Sequence, residues 1–245
     1  MPAAPSTAPV TVRLEKTANS ALSELAEQTR QRLGQRCQDS ADWTLLFDEL
    51  GVELLGGADA PGHGVRAATR RLSRVSPRQP FARALGRQPR RIVDATAGLG
   101  EDALMMFALG HEVLVIERSP VACALLEGAA LLGRFPFPVL FGDARELLGK
   151  LEPEVVYLDP MFPSKRRSSA LPPKGPRYLA AVVGPDADAE QLLTVAQQVA
   201  TDRVVVKRPD HAPSLTPAPR SRHEGKLVRY DVYAPVAPTE YEQTS

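Results

Sequence analysis

The sequence predicts an α/β protein built around a mainly parallel sheet. Three observations carry this reading. From Arg91 onward, short apolar runs of strand character alternate with runs of helical length, the pattern of strand–helix–strand crossover units. Glycine and proline punctuate that alternation where strands hand over to helices. The chain of 245 residues is 43% hydrophobic and 24% charged, which is ordinary for a folded soluble protein and excludes a mostly disordered one.

Taken in order, residues 1–9 are mostly Ala, Pro, Ser and Thr and read as a disordered tail. Asn19–Leu33 reads as a helix, with Leu22, Leu25, Ala26 and Leu33 on or near one face. Trp43–Phe47 and Val52–Leu55 read as two strands joined near Glu49–Gly51. Residues 1–59 thus form a small N-terminal α/β unit with its tail, too small for an independent core and expected to pack on the rest. Residues 60–90 read as a basic connector, part helical near Arg66–Val75. Residues 91–245 hold the repeating pattern: strand Ile92–Ala95, helix Glu101–Leu109, strand Glu112–Glu117 and helix Pro120–Leu132. Strand Phe137–Asp143, helix Ala144–Leu151 and strand Glu154–Asp159 follow, then helix Asp188–Ala200 and strand Arg203–Lys207. Leu227–Ala234 alternates and reads as an edge or antiparallel strand.

Several classes are excluded. The most apolar stretch, Val121–Gly133, is short for a membrane span and contains Glu127. The N-terminus lacks the basic start and apolar core of a signal peptide, so a cytoplasmic address is expected. Cys37 and Cys123 are too few for a disulfide framework or a zinc site, and His63, His111, His211 and His223 show no ligand spacing, so no metal is expected. Met105 and Met106 read as core. Net charge is only +1, but unevenly placed: Ala60–Val93 carries nine arginines and no acid, while residues 1–59 carry nine acidic against five basic groups. A second acid-free run, Ser164–Tyr178, holds Lys165, Arg166, Arg167, Lys174 and Arg177. Two such runs point to a polyanionic partner.

The first chemical motif is Val93-Asp94-Ala95-Thr96-Ala97-Gly98-Leu99-Gly100, joining a strand to its helix. Gly98 and Gly100 allow a tight turn and close approach of a ligand at the carboxyl ends of the strands. Gly98-x-Gly100-x-x-Ala103 also satisfies a dinucleotide pattern. The neighbours discriminate. Asp94, Glu101 and Asp102 place negative charge where a pyrophosphate would sit, and suit instead a cationic ligand such as the methionine end of S-adenosylmethionine. Glu117 ends the next strand, where an acid can accept bonds from both ribose hydroxyls. Asp143 ends the third, in reach of an adenine amino group.

The second motif is Asp159-Pro160-Met161-Phe162-Pro163. Its prolines stiffen a loop at the same sheet edge. The Asp159 carboxylate and the Pro160 carbonyl can accept the two N–H bonds of an exocyclic amine, and Phe162 can stack on the base that carries it. Holding both hydrogens aims the nitrogen lone pair at a methyl donor, so catalysis is orientation and local electrostatics. This loop resembles the Asp/Asn-Pro-Pro-Tyr/Phe motif of methyltransferases that modify amino groups of bases, with Met161 in place of the second proline.

Together with Val183-Gly-Pro-Asp186, Arg203-Val-Val-Val-Lys-Arg-Pro-Asp210 and Tyr230-Asp-Val-Tyr-Ala234, these stretches resemble the ribosomal small-subunit methyltransferase J family over roughly residues 43–235. The resemblance implies a Rossmann-like class I S-adenosylmethionine-dependent methyltransferase sheet with a small N-terminal α/β subdomain. It implies methylation of the N2 amine of a guanine in 16S rRNA, with free rRNA or the small ribosomal subunit as partner. It assigns cofactor contacts to Glu101, Asp102, Glu117, Arg118 and Asp159 and implicates Asp143 and Ala144. The basic run after Pro163 then borders the base pocket, and Lys207 and Arg208 lie on the same edge. Lys165, Arg166, Arg167, Lys174, Lys207 and Arg208 are therefore expected to hold RNA phosphates while the base is extruded. Three rivals stand beside this reading: methylation of an adenine N6 or a glutamine amide, an NAD-dependent oxidoreductase, and a non-catalytic RNA-binding module.

Overall fold

The structure, a computed structural model, describes residues 8–68, 76–161, 173–184, 186–216 and 219–236. A seven-stranded sheet runs through it in the order β6-β5-β4-β7-β8-β10-β9. Its parallel part comprises β4 (Arg91–Asp94), β5 (Glu112–Glu117), β6 (Val139–Phe141), β7 (Val155–Leu158) and β8 (Arg203–Pro209). β9 (Ser221–Glu224) and β10 (Val228–Tyr233) close one side antiparallel. The strand order reverses on either side of β4, so the crevice at the carboxyl ends of β4 and β7 is the expected ligand site. A second sheet of three strands holds β1 (Val10–Leu14) parallel to β2 (Trp43–Asp48), which pairs antiparallel with β3 (Gly51–Gly56).

Each helix has a local cause. The α1 helix (Ser20–Leu33) is capped by Asn19, whose side chain accepts the Leu22 N–H at 2.9 Å. The α3 helix (Glu101–Ala108) opens with Glu101 and Asp102 in its first turn, favourable to its dipole. The α4 helix (Pro120–Leu131) starts with Ser119 as cap and Pro120 at its first position. Its buried residues, Val121 to Leu126 with Gly128 and Ala129, leave no polar face. That is the signature of a helix covered on both sides. One side faces the large sheet, the other the N-terminal unit. A Cβ on Gly128 would lie 2.4 Å from Val52 Cγ2, so only glycine lets β3 approach α4 this closely. Arg32 of α1 clasps Glu127 at 2.5 and 3.1 Å beside that contact. One apolar cluster accordingly runs from Val10 and Leu22 through Val52 to Leu125 and Val115.

The other α-helices among the described residues are α2 (Pro80–Leu85), α5 (Ala144–Leu147), α6 (Lys174–Val183) and α7 (Ala189–Val199). Several differ from expectation. The helix of the connector lies at Pro80–Leu85, whereas Arg66–Ala68 is not helical and residues 69–75 lie outside the described residues. Glu53, buried under this strap, accepts the Gly62 and Gly64 N–H groups and binds Arg66 at 3.1 Å, which fixes the chain in an extended path. The strand expected at Phe137–Asp143 spans only Val139–Phe141, because Asp143 caps α5 by accepting the Arg145 N–H. The alternating strand Val228–Tyr233 is antiparallel, one of the two forms expected, and lies between β8 and β9 rather than at the edge. No helix among the described residues is long and apolar enough to cross a membrane.

Candidate functional site

A cavity of about 200 Å³ opens at the carboxyl ends of β4, β5 and β7. Its wall includes Asp94, Gly98, Glu101, Asp102, Glu117, Arg118, Asp143, Ala144 and Asp159, each expected from the sequence to contact a cofactor. The two motifs meet here directly. The Asp159 N–H donates to Thr96 Oγ1 at 2.6 Å, and the Thr96 N–H donates to Asp94 Oδ1 at 3.1 Å. The acceptor-side turn is thus tied to the glycine loop by one side chain.

Gly98 donates its N–H to Glu117 Oε2 at 2.9 Å, and Ser119 donates to Glu117 Oε1 at 2.7 Å. These bonds join the ends of β4 and β5. Burial pushes the Glu117 carboxyl up to about 7, against the pull of those two N–H donors. Burial likewise holds Asp94 well above the usual carboxylate range, with Asp102 and Asp159 adding repulsion. Gly100 serves differently from expectation. It does not line the cavity; at φ +81° a Cβ there would lie 2.4 Å from Phe135 Cε2. The close approach it permits is to a core ring, not to a ligand.

Asp159 sits on the cavity floor, 40% of its side chain open to that space and the rest enclosed by protein. The enclosure raises its carboxyl to about 6; Lys207 opposes the rise and Asp102 adds to it. Pro160 is buried and is not part of the wall, where Met161 stands instead, so the carbonyl expected to accept an amine hydrogen is not among the lining groups. Met161 donates its N–H to Asp186 Oδ2 at 2.6 Å and accepts from the Asp186 N–H at 2.9 Å. Asp186 also pairs with Arg118, whose other nitrogen holds Asp188 at 2.7 Å. Asp143 is gripped by Arg145 at 2.6 Å, a pairing that holds its carboxyl below the usual range.

Three cations expected on RNA are engaged within the chain. Lys207 bridges Asp102 and Asp159 at 2.8 Å each. Arg208, on the opposite face of β8 and 5% exposed, donates to the Pro213 carbonyl at 2.9 Å. Lys174 binds Asp59 at 2.9 Å and the His63 carbonyl, and lies 4.9 Å from the centre of the Tyr178 ring. Phe162, Lys165, Arg166 and Arg167 lie outside the described residues.

Sequence reasoning missed the groups that complete the site: Thr96, Tyr157, Asp186, Asp188 and Arg145. A tyrosine within the aliphatic β7 was a usable signal for Tyr157, and the Val183–Asp186 stretch was one for Asp186. The cavity wall carries eight carboxylates against three cationic side chains. Such a surplus repels a pyrophosphate and suits a ligand bearing a sulfonium and an ammonium. It weighs against the dinucleotide reading of the glycine loop. No cluster able to hold a metal occurs among the described residues.

Comparison with known proteins agrees with this chemistry. The family model described as "Putative SAM-dependent methyltransferase" matches residues 55–134 and 137–235. The chain is 40% identical over 255 residues to the ribosomal RNA small subunit methyltransferase J of Pseudomonas aeruginosa strain UCBPP-PA14, covering 93% of this chain and 96% of the relative. It is 42% identical over 206 residues to the protein of that name from Laribacter hongkongensis, covering 74% and 73%. The crystal structure of a SAM-dependent methyltransferase from Neisseria gonorrhoeae superposes with a TM-score of 0.67 at 25% identity, covering 94% of this chain and 98% of that one. The fold is the Rossmann-like methyltransferase fold and the cofactor is S-adenosylmethionine. The chain belongs to the ribosomal RNA small subunit methyltransferase J family.

Proposed function

We propose that this protein methylates the exocyclic N2 amine of a guanine in 16S rRNA, as free RNA or within the small ribosomal subunit. The observation that carries the reading is the junction of the two motifs: Asp159, the candidate amine acceptor, is bonded through its own N–H to Thr96 of the glycine loop. The names of the relatives supply the RNA class, and the likeness of Asp159–Pro163 to loops that methylate base amines supplies the amine.

S-adenosylmethionine supplies an electrophilic methyl group on a sulfonium. The chain's own residues do the rest. Glu117 accepts bonds from ribose hydroxyls, and Asp94 and Asp102 meet the cationic methionine end. Gly98 lets the backbone pass close to the donor, and Glu101, Arg118, Asp143 and Ala144 form the remaining wall. Asp159 accepts a hydrogen of the amine and so orients the nitrogen. Phe162 stacks on the guanine, and Lys165, Arg166 and Arg167 hold the adjoining phosphates. We assign the transfer to residues 91–245, with residues 60–90 as connector and residues 1–59 as an N-terminal unit covering α4.

The test is methylation of free 16S rRNA and of small subunits with labelled donor, followed by mapping of the modified base. Label on guanine N2 is expected. Label on an adenine, or none on either RNA, contradicts the reading. Asp159→Ala should lower kcat at saturating cofactor by about 10²–10³-fold.

A further inference from the structure

We infer that Lys207 is a positioning residue for the transfer: by bridging Asp102 and Asp159 it fixes the Asp159 carboxylate through Oδ2, keeps it charged, and leaves Oδ1 for the acceptor amine. This rests on the role of Asp159 proposed above and extends it to a second strand.

The sheet register creates the contact. Leu158 of β7 pairs with Val206 of β8 in a parallel ladder, so the next residues, Asp159 and Lys207, emerge side by side at the carboxyl ends. Lys207 Nζ lies 2.8 Å from Asp159 Oδ2 and 2.8 Å from Asp102 Oδ2. Asp159 Oδ1 takes no hydrogen bond among the described residues. Asp102 is itself held, because the Tyr157 hydroxyl donates to the same Oδ2 at 2.6 Å. The chain of contacts therefore runs from Tyr157 through Asp102 and Lys207 to Asp159, with no freely swinging member.

Beneath it lies an aromatic floor. Phe81 of α2 meets Tyr157 edge-on at 5.7 Å and Tyr230 at 5.4 Å. Tyr230 is the register partner of Lys207 on β10. The lysine side chain is only 23% exposed. Burial works against its charge, but Asp159 and Asp102 outweigh that and hold its pKa above the ordinary value. A lysine so placed cannot reach out to a phosphate without leaving two carboxylates facing one another uncompensated.

The groups around Asp159 come from every neighbouring element: Asp94 of β4, Asp102 of α3, Tyr157 of β7, Lys207 of β8, Tyr230 of β10 and Asp186. All but Lys207 are acids. Removing the lysine charge leaves Asp159 among them alone, and its proton affinity must rise. A protonated Asp159 is a poorer acceptor for the amine hydrogen. Removing the Asp102 charge acts in the opposite sense.

The experiment is the pH profile of kcat for methyl transfer to small-subunit RNA at saturating cofactor, with S-adenosylhomocysteine affinity measured by calorimetry. The wild-type protein, Lys207→Met, Lys207→Arg and Asp102→Asn are compared. Lys207→Met should lose roughly 100-fold in kcat at neutral pH, the cost of a misplaced reacting group, and its acid limb should move to higher pH. Lys207→Arg should restore the limb, and Asp102→Asn should move it to lower pH; these two also decide the matter if Lys207→Met does not fold. Three results overturn the inference: an acid limb common to all variants, kcat unchanged in Lys207→Met, or a rise in the RNA KM alone, which is the mark of a phosphate contact. A wild-type protein that methylates no RNA would instead refute the proposed function, so the two failures are distinguishable.

Discussion

The two ends of the parallel strands carry charge in opposite ways. At the amino ends, Arg90 binds Glu154 at 3.1 Å and Asp202 at 3.5 Å, Arg203 binds Asp202 at 2.9 Å, and Glu154 also takes the Arg91 N–H at 2.9 Å. Glu154 and Asp202 thus each have a cation or a donor, and the Arg91 N–H and Arg90 hold the Glu154 carboxyl below its usual range. At the carboxyl ends, Lys207 bridges Asp102 and Asp159 while Asp94 and Glu117 accept backbone N–H groups, and burial drives Glu117 to about 7 and Asp159 to about 6. One end is balanced for stability. The other crowds carboxyls whose ionisation burial opposes, as a site does when a cationic ligand is to complete it.

Glu117→Gln should break that contrast most. It removes an ionised acceptor for the ribose, and cofactor affinity should fall by about 10–100-fold in calorimetry. Thermal stability should fall only slightly: the amide oxygen keeps one of the two backbone N–H bonds, and the cost of burying a carboxylate is lost. Acid titration of the wild-type protein sharpens the contrast further. The Glu117 carboxyl must ionise to accept ribose hydroxyls. Apparent cofactor affinity should therefore rise with pH until about 7 and level off above it, with protons released on binding in the sloping region. Below that point the slope approaches about tenfold per pH unit. Without cofactor, the two ends contribute to stability with opposite signs. The raised carboxyl of Glu117 costs stability as pH rises from its ordinary value toward about 7. The depressed carboxyl of Glu154 contributes stability above its ordinary value, and this is lost as pH falls through its folded pKa. The smallest effect is expected from Glu154→Gln: a slightly lower Tm in calorimetry, with cofactor affinity untouched. A loss of cofactor affinity in that variant would mean the two ends are not independent.

What the sequence made legible was local. Asp94–Gly100 and Asp159–Pro163 announce themselves because turn chemistry is written in neighbouring residues. They also occupy one rim because crossover units put all such turns on one edge. What the sequence hid was register and packing. Lys207 reads as a strand-end charge for RNA until β7 and β8 are aligned, which brings it to Asp159. Arg208 reads the same way until strand alternation turns it to the other face, onto Pro213. Gly100 reads as a ligand contact because its left-handed backbone is legible and the Phe135 ring behind it is not. The α6 helix was hidden by Pro173, Gly175 and Pro176, which read as loop yet are tolerated at a first turn. β1 escaped because it follows an Ala/Pro/Ser/Thr-rich start and buries only Val10 and Val12, and β9 because Ser221–Glu224 has no apolar alternation.

The central claim is that the glycine loop and the Asp159 turn serve one reaction from one cavity. A crystal structure with bound S-adenosylhomocysteine tests it most directly. The ribose should lie on Glu117 and the sulfur should face the Asp159 turn beside Thr96. Cofactor density away from that turn, or on the far side of Arg118 with Asp159 out of reach, would contradict the account.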